Sequence, residues 1–166
     1  MEALAVLLSA FVIFTSEPAA GTETYISEEY QTYVTEISEQ YNVCPELIIA
    51  IIEHESSGRT DIESSAGCIG LMQISPIWHA DRMERLGVTD LTDPRSNILV
   101  GVDYISELAD RHGEIYTVLM CYNEGENGTA IERAEQGQYS DYAISIVERT
   151  MELERLHERK RKNGFR

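Results

Sequence analysis

Apolar residues recur at helical spacing along most of the chain. In EEYQTYVTEISEQY, residues 28–41, they share one helical face, and Ser27 can cap the helix. Only residues 60–74 lose this period, and Gly67 and Gly70 there predict a short hairpin or irregular loop. Matching periods and end signals predict further helices over 45–57, 76–86, 94–112, 114–122, 129–136 and 140–160. The pattern therefore predicts a mainly α fold with one small β excursion.

The helix predicted over 45–57 places three polar residues in succession near its end, Glu53, His54 and Glu55. At roughly 100° per residue, Glu55 falls within about 60° of Ile48, at the end of the apolar stripe, whereas Glu53 faces water. Burial disfavours a carboxylate and raises its pKa, so Glu55 is a candidate proton donor. The alternative is a terminal glutamate that turns back to solvent. His54 is predicted to lie on the surface, because EHE lacks the HExxH spacing of zinc proteases.

Charge is distributed unevenly over a chain whose net charge is −16. Residues 21–147 contain 23 Asp and Glu against six Arg and no Lys, which makes nucleic acid a poor partner. Residues 148–166 are rich in Arg and Lys and form a predicted helical tail. This tail is either a solvated helix end or a weak contact for anionic wall polymer or a membrane surface.

The first 20 residues are predicted to be a signal peptide that directs export. ALAVLLSAFVIF, residues 3–14, is too short to span a bilayer, and Ala19 and Ala20 offer a cleavage site. The leader departs from the usual pattern because Glu2 precedes the apolar run without any Lys or Arg. A retained membrane anchor or a buried helix is the alternative.

Three cysteines, Cys44, Cys68 and Cys121, lack CxxC spacing, so a zinc site is not expected. In an exported protein Cys68 could pair with Cys121, but small buried thiols are the preferred interpretation. No pattern of metal ligands or cofactor binding stands out, and no cofactor is predicted.

Four segments occur in order: AIIEHESS, SSAGCIGLMQISP, DLTDPRSNILVGVDYI and CYNEG. In this order and spacing they resemble the soluble lytic transglycosylase domain, whose fold is that of goose-type lysozyme. The resemblance covers roughly Tyr30 to Tyr142, and residues 21–147 are the predicted catalytic domain. It implies a lysozyme-like α domain with the irregular loop beside an active-site cleft, acting on peptidoglycan glycan strands.

By this resemblance Glu55 is the single catalytic acid, cleaving the bond between N-acetylmuramic acid and N-acetylglucosamine. It would then act as base on the muramyl 6-hydroxyl, which closes a 1,6-anhydro ring. Most glycosidases need two carboxylates, whereas an internal hydroxyl attack needs one. By residue type alone, the candidates for a second carboxylate are Asp61, Glu63, Asp90 and Asp93. Asp93 is more simply a helix cap and Asp90 a turn residue, whereas Asp61 and Glu63 stay open.

The family pattern also implies roles for five other residues. Tyr122 would place its hydroxyl near the scissile bond, and Asn123 would contact a sugar. Ser65, Met72 and Gln73 would face substrate, although Met72 is alternatively a core residue and Ser65 a turn residue. Gly70 would let the backbone run close to the sugar, and Leu71 is interpreted as core. Tyr139 and Tyr142 either stack on sugars or pack in the core.

The chain departs from the family at three positions. Cys68 and Cys121 stand where alanine is frequent, and Glu124 adds a negative charge that either favours protonated Glu55 or points outward.

Two rivals to the transglycosylase hypothesis remain. One is a hydrolytic muramidase on the same fold, and the other is a non-catalytic glycan-binding or assembly module.

Overall fold

The structure, a computed structural model, describes residues 24–164 and is mainly helical. Its helices are α1 (Glu28–Tyr41), α2 (Pro45–Ser56), α3 (Ala80–Leu86), α4 (Pro94–His112), α5 (Ile115–Glu124), α6 (Gly128–Glu135) and α7 (Asp141–Gly164). The predicted signal peptide, residues 1–20, lies outside the described residues. Among the described helices, none has the length and apolar character needed to cross a membrane.

Several helices begin where the sequence predicts, because polar side chains satisfy their first backbone N–H groups. The Ser27 hydroxyl accepts from the backbone N–H of residue 30, and Pro45 is the first residue of α2. At the start of α4, an Asp93 carboxylate oxygen accepts from the backbone N–H of residue 96 at 2.8 Å, which confirms Asp93 as a cap. Glu114 and Asn127 cap α5 and α6 in the same way.

The described residues form two compact units. The first unit is Thr24–Ser106, and its core contains α1, packed against α2, and the apolar residues of α4. Every residue from Leu47 to Ile52 is buried in this core, which explains why α2 reads as almost continuously apolar. The second unit starts at Glu107, and in it α5 packs against both α6 and α7.

The predicted β excursion consists of isolated bridges in the first unit. Glu63 pairs antiparallel with Ile69, and Ile69 pairs antiparallel with Ile74. Two backbone hydrogen bonds of 2.9 and 3.0 Å join Ile69 to Ile74, and a turn over 64–67 connects the first pair. The prediction of a short hairpin or irregular loop is confirmed.

One helix start is wrong. The predicted helix over 76–86 begins only at Ala80, because residues 76–79 form a separate turn. Ser75 holds this turn: its hydroxyl accepts from the N–H of Trp78 at 3.5 Å, and its carbonyl accepts from the N–H of His79 at 3.1 Å. Ile77 and Trp78 are exposed, so the apolar residues that extended the predicted helix do not form a core-facing stripe.

In the second unit, α7 continues without a break from Asp141 to Gly164. Its buried apolar residues are Tyr142, Ala143, Ile146 and Leu153, and the charged residues from 158 to 162 are exposed. The predicted domain boundary between 147 and 148 therefore falls inside one helix, and the tail as a separate functional segment stays a prediction.

Candidate active site

Glu55 is the penultimate residue of α2 and is half-buried. Ile48, Ile51 and Ile52, which precede it on the same stripe, are fully buried. The carboxyl group therefore lies where an apolar core meets the surface, which is the position predicted for a proton donor. Glu53 is also half-buried, so burial alone does not separate it from Glu55, whereas His54 is exposed as predicted.

The chain leaves α2 through two consecutive residues with left-handed backbone, Ser57 (φ 52°) and Gly58 (φ 76°). A Cβ at Gly58 would lie 2.9 Å from the carbonyl oxygen of Tyr25, so only glycine fits against this backbone. The side-chain amide of Gln31 donates to the carbonyl of Ile26 at 2.7 Å, and Ile26 is buried. The segment over 25–26 thus supports the end of α2 that carries Glu55.

The GLMQ segment, residues 70–73, is held by a residue that the sequence analysis missed. Asn97 is fully buried in α4, and its side-chain oxygen accepts from the N–H of Met72 at 2.9 Å. Its amide nitrogen donates to the carbonyls of Ile69 at 2.8 Å and Leu91 at 3.0 Å. Asn97 therefore satisfies three backbone groups and fixes the loop to α4.

Gly70 is required by this arrangement and not by an open cleft. Its φ is 73°, and an added Cβ would lie 2.6 Å from the Asn97 amide nitrogen. Gly70 is itself buried. The close approach that requires glycine here is to Asn97, and an approach of the Gly70 backbone to a sugar stays a prediction.

Met72 is fully buried, as is Leu71. A Cβ placed on Gly101 of α4 would lie 2.6 Å from the Met72 terminal methyl carbon, so Met72 occupies the space that this glycine leaves. Burial agrees with the core interpretation of both side chains. A side chain without accessible surface cannot touch a sugar in this conformation, so substrate contact by Met72 stays a prediction that requires movement.

Gln73 is half-buried and has a left-handed backbone, with φ 49°. Its side-chain nitrogen donates to the carbonyls of Gly70 at 3.0 Å and Ile62 at 3.5 Å. Because the side-chain nitrogen of Gln73 donates to these carbonyls, its side-chain oxygen is the atom suited to accept a hydrogen bond from a sugar N–H or O–H. Ser65 is exposed at the tip of the 64–67 turn.

A salt-bridge cluster fastens α3 to α4. Asp103 is buried and accepts from the guanidinium groups of Arg82 and Arg85, the latter at 2.7 and 3.1 Å. Burial raises the pKa of Asp103, but hydrogen bonds and charges from both arginines outweigh this effect and lower it overall. Arg82 also lies 4.9 Å from the ring centre of Tyr104, and the His79 ring lies 4.5 Å from the same ring.

In the second unit, Tyr122 and Asn123 lie in the last turn of α5, with Tyr122 half-buried and Asn123 exposed. The Asn127 amide donates to the carbonyl of Glu124 at 2.8 Å, and its oxygen accepts from the N–H of Ala130 at 3.0 Å. Asn127 therefore sets the turn that follows the Tyr-Asn pair. The Glu124 carboxylate forms an ion pair with Arg133 at 2.9 Å, which offsets the added charge.

Other predicted residues have structural roles. Tyr142 is buried, and the Tyr139 ring stacks on Tyr116 with centroids 4.0 Å apart, so both favour the packing alternative. Asp90 accepts from the N–H and hydroxyl of Thr92 at 2.8 and 2.7 Å, which confirms a turn role. Asp61 and Glu63 are exposed.

All three cysteines are thiols in this structure, but the preferred prediction of buried thiols holds only for Cys121. Cys121 is fully buried, whereas Cys44 and Cys68 are half-buried. Burial raises the pKa of the Cys121 thiol, with smaller contributions from nearby carboxylates. Cys121 is therefore a packing residue and a weak nucleophile.

The candidate residues belong to both units. Glu55, Ser65, Met72 and Gln73 lie in the first unit, and Tyr122 and Asn123 lie in the second. Asn97 and Asn127 are the positioning residues that sequence reasoning missed. Asn97 had a detectable signal, since it interrupts the apolar stripe of α4 four residues before Gly101 and eight before Ile105.

Comparison with known proteins agrees with the resemblance in the sequence. The family profile described as "Transglycosylase SLT domain" matches residues 32–145. A transglycosylase of Enterobacteria phage PRD1 is 39% identical, over 54% of this chain and 32% of its own length. A membrane-bound lytic murein transglycosylase E of Buchnera aphidicola (subspecies Baizongia pistaciae) is 41% identical, over 53% of this chain and 49% of its own length. The chain thus spans between a third and half of these two relatives.

Two solved structures share the fold. A lytic transglycosylase Slt of Pseudomonas aeruginosa superposes with a TM-score of 0.59 at 21% identity, covering 75% of this chain and 24% of that one. The 70 kDa soluble lytic transglycosylase of Escherichia coli gives 0.58 at 22% identity, covering 73% of this chain and 21% of that one. The predicted lysozyme-like α fold is confirmed.

Proposed function

Because this chain belongs to the transglycosylase SLT domain family, we propose that it is a peptidoglycan lytic transglycosylase. Its substrate is the glycan strand, and the bond cleaved is the β-1,4 link from N-acetylmuramic acid to N-acetylglucosamine. The product ends are 1,6-anhydromuramic acid. The names of two relatives, a transglycosylase and a membrane-bound lytic murein transglycosylase E, support this proposal.

The observation that carries the proposal is the position of Glu55. It lies in the last turn of α2 after a fully buried apolar stripe, it is half-buried, and it belongs to the matched residues 32–145. Half-burial leaves part of the residue accessible to a bound glycan strand. Burial in general disfavours the charged form of a carboxyl group, and the proposal depends on this effect at Glu55.

The reaction that follows requires one carboxyl group. The Glu55 O–H donates its proton to the bridging oxygen as the bond from that oxygen to the muramyl anomeric carbon breaks. The resulting carboxylate accepts the proton of the muramyl 6-hydroxyl, whose oxygen forms the new bond to the anomeric carbon. Glu55 is then protonated again and no water is consumed, which distinguishes this reaction from hydrolysis.

Four further side chains are proposed sugar contacts, on the strength of the family motifs that they match. Tyr122 supplies a hydroxyl near the scissile bond, and Asn123 supplies an amide. Gln73 offers its side-chain oxygen to an acetamido N–H or a hydroxyl group, since its nitrogen binds the loop carbonyls. Ser65 offers a hydroxyl from the exposed turn.

The decisive experiment is digestion of purified sacculi followed by mass spectrometry of the released muropeptides. We expect anhydromuramyl ends, lighter by one water than reducing ends. Glu55→Gln keeps the shape of the side chain but cannot cycle a proton, so activity should fall about a hundredfold or more. Glu53→Gln, two residues earlier on α2 and also half-buried, is the matched control and should retain activity.

Three results would contradict parts of the proposal. Only hydrated ends would identify a hydrolytic muramidase on this fold. Full activity of Glu55→Gln would remove Glu55 as the acid. Binding of sacculi without cleavage by the wild-type chain would identify a glycan-binding module.

Tyr122→Phe tests the hydroxyl separately from the ring. We expect kcat on sacculi to fall about tenfold, the usual net value of one hydrogen bond. Tyr116→Phe is the control, because Tyr116 lies on the same helix with its ring stacked on Tyr139. Equal activity of the Tyr122→Phe variant and the wild type would exclude a role for this hydroxyl.

We propose action at the cell envelope, since the substrate lies there and relatives are named membrane-bound. Export by the leader at residues 1–20 and a contact of the basic tail with anionic polymer stay predictions. Fractionation of cells that express the full chain, with and without residues 1–20, tests export.

A further inference from the structure

Trp78 and Ile77 form the most exposed large apolar surface among the described residues. Their exposed fractions are 85% and 79%. Trp78 is the single tryptophan of the chain. Because Ile77 and Trp78 are consecutive and both exposed, they form one apolar patch and not a single scattered surface residue, and such patches are candidate contact sites.

The turn that carries Trp78 is firmly held. Ser75 binds the N–H groups of Trp78 and His79, and the next turn continues from the His79 carbonyl to the N–H of Met83 at 2.8 Å. The His79 ring packs on Tyr104 of α4, and Arg82 binds Asp103 of the same helix. The indole is therefore presented by fixed backbone, which reduces the entropy lost on binding.

From this geometry we propose that Trp78, flanked by Ile77, is a stacking platform for a further sugar ring of the glycan strand. This inference rests on the proposed function. Trp78 follows Gln73 by five residues, so their Cα atoms are at most about 17 Å apart, and the 75–79 turn shortens this. A glycan strand of a few rings is therefore long enough to contact both Gln73 and Trp78.

A sugar ring fits this surface better than other apolar occupants. The indole face matches the C–H face of a pyranose, and its N–H can donate to a hydroxyl. A membrane surface is disfavoured, because the first unit has 14 Asp and Glu against four Arg and no Lys, which repels anionic lipids. A protein partner is also disfavoured, because a stable protein–protein interface uses about 20 residues from each partner and this patch has two.

The single tryptophan makes the contact directly observable. Glu55→Gln protein is titrated with the N-acetylglucosamine–N-acetylmuramic acid disaccharide and with its tetra- and hexasaccharide. We expect the hexasaccharide to shift Trp78 emission to shorter wavelength and to protect it from acrylamide, and the disaccharide to do neither. In the otherwise wild-type chain, Trp78→Ala should raise KM on soluble glycan strands about tenfold with kcat little changed.

Tyr25→Ala is the matched control, since Tyr25 is 68% exposed in the same unit. It should leave KM unchanged, and both variants should keep the wild-type thermal stability because the rings they remove are exposed. Vesicles of phosphatidylglycerol and phosphatidylethanolamine form a second titration. A Trp78 shift with vesicles and none with oligosaccharide would overturn the proposal in favour of a membrane contact.

The failure of this inference is distinguishable from that of the proposed function. Cleavage of sacculi with unchanged Trp78 emission, or an unchanged KM for Trp78→Ala, would overturn the platform alone. An emission shift with the hexasaccharide but no cleavage by wild type would support the platform and overturn the transglycosylase. Neither cleavage nor a shift would overturn both.

Discussion

At the scale of single residues, three glycines near the candidate site allow close contacts that a larger residue would block. Gly58, Gly70 and Gly101 each face a neighbour that an added methyl group would overlap. At Gly58 and Gly70 the backbone is also left-handed, so two independent reasons require glycine. At Gly101 the backbone is helical, and the reason is only the space that Met72 fills.

Gly101→Ala should therefore destabilise the chain and impair the GLMQ loop together. The new methyl would overlap the Met72 side chain, and such overpacking costs about 1–3 kcal/mol. Urea denaturation measures this cost, and sacculus digestion measures the loss of activity. Gly128→Ala is the control, because the nearest atom to its Cβ is the Glu132 carboxylate at 3.9 Å.

The cause can be isolated by a double-mutant cycle. In a Met72→Ala background the overlap is absent, so Gly101→Ala should cost less there than in the wild type. Equal costs in both backgrounds would mean that Met72 is not the neighbour that matters.

At the scale of elements, α4 organises the first unit through two polar residues. Asn97 near its start holds the GLMQ segment, and Asp103 two turns later holds α3. Tyr41 of α1 faces the same region, and its pKa is raised by burial and by the charge of Asp103. The Asp103 cluster thus fixes the turn that precedes α3, which carries Trp78.

The Asp103 cluster should make stability depend on acid. Its folded pKa is lowered below the usual value near 3.9, so its contribution is present above that pH and is lost as pH falls below it. Asp103→Asn should cost about 3 kcal/mol near neutral pH, because two arginines lose a buried partner. The difference from wild type should shrink as the pH falls below about 4.

Urea unfolding at a series of pH values measures this difference directly. Asp81→Asn, an exposed residue on the same short helix, is the control and should change little at any pH. A cost for Asp103→Asn that is the same at acid and neutral pH would show that its charge does not stabilise the fold.

At the scale of the whole molecule, sequence predicted the helices well where caps and periodicity agree. Ser27, Pro45, Asp93 and Gly113 mark ends that the structure reproduces. The start of α3 failed because Ser75-Pro76 is an equally good start for an isolated turn. Local signals of this kind cannot reveal whether the next apolar residues, here Ile77 and Trp78, meet a core.

The candidate site was predictable to a lesser degree, for a physical reason. Periodicity placed Glu55 at the end of an apolar stripe, but it could not separate a substrate-facing Met72 from a buried one. That distinction depends on Gly101, which is distant in sequence and leaves the space that Met72 fills. Asn97 was missed for the same reason, since two of its three partners, Ile69 and Met72, lie more than twenty residues away.

The backbone contact between Gly58 and Tyr25 has a consequence for anyone who trims this protein. The matched family region begins at residue 32. A fragment cut to that region would therefore lose the Tyr25 backbone that packs against Gly58 at the C-terminal end of α2. The fragment would also lose Ile26 and the hydrogen bond from the Gln31 side chain to its carbonyl. A minimal catalytic fragment should therefore start before residue 24, even though the family match begins only at residue 32.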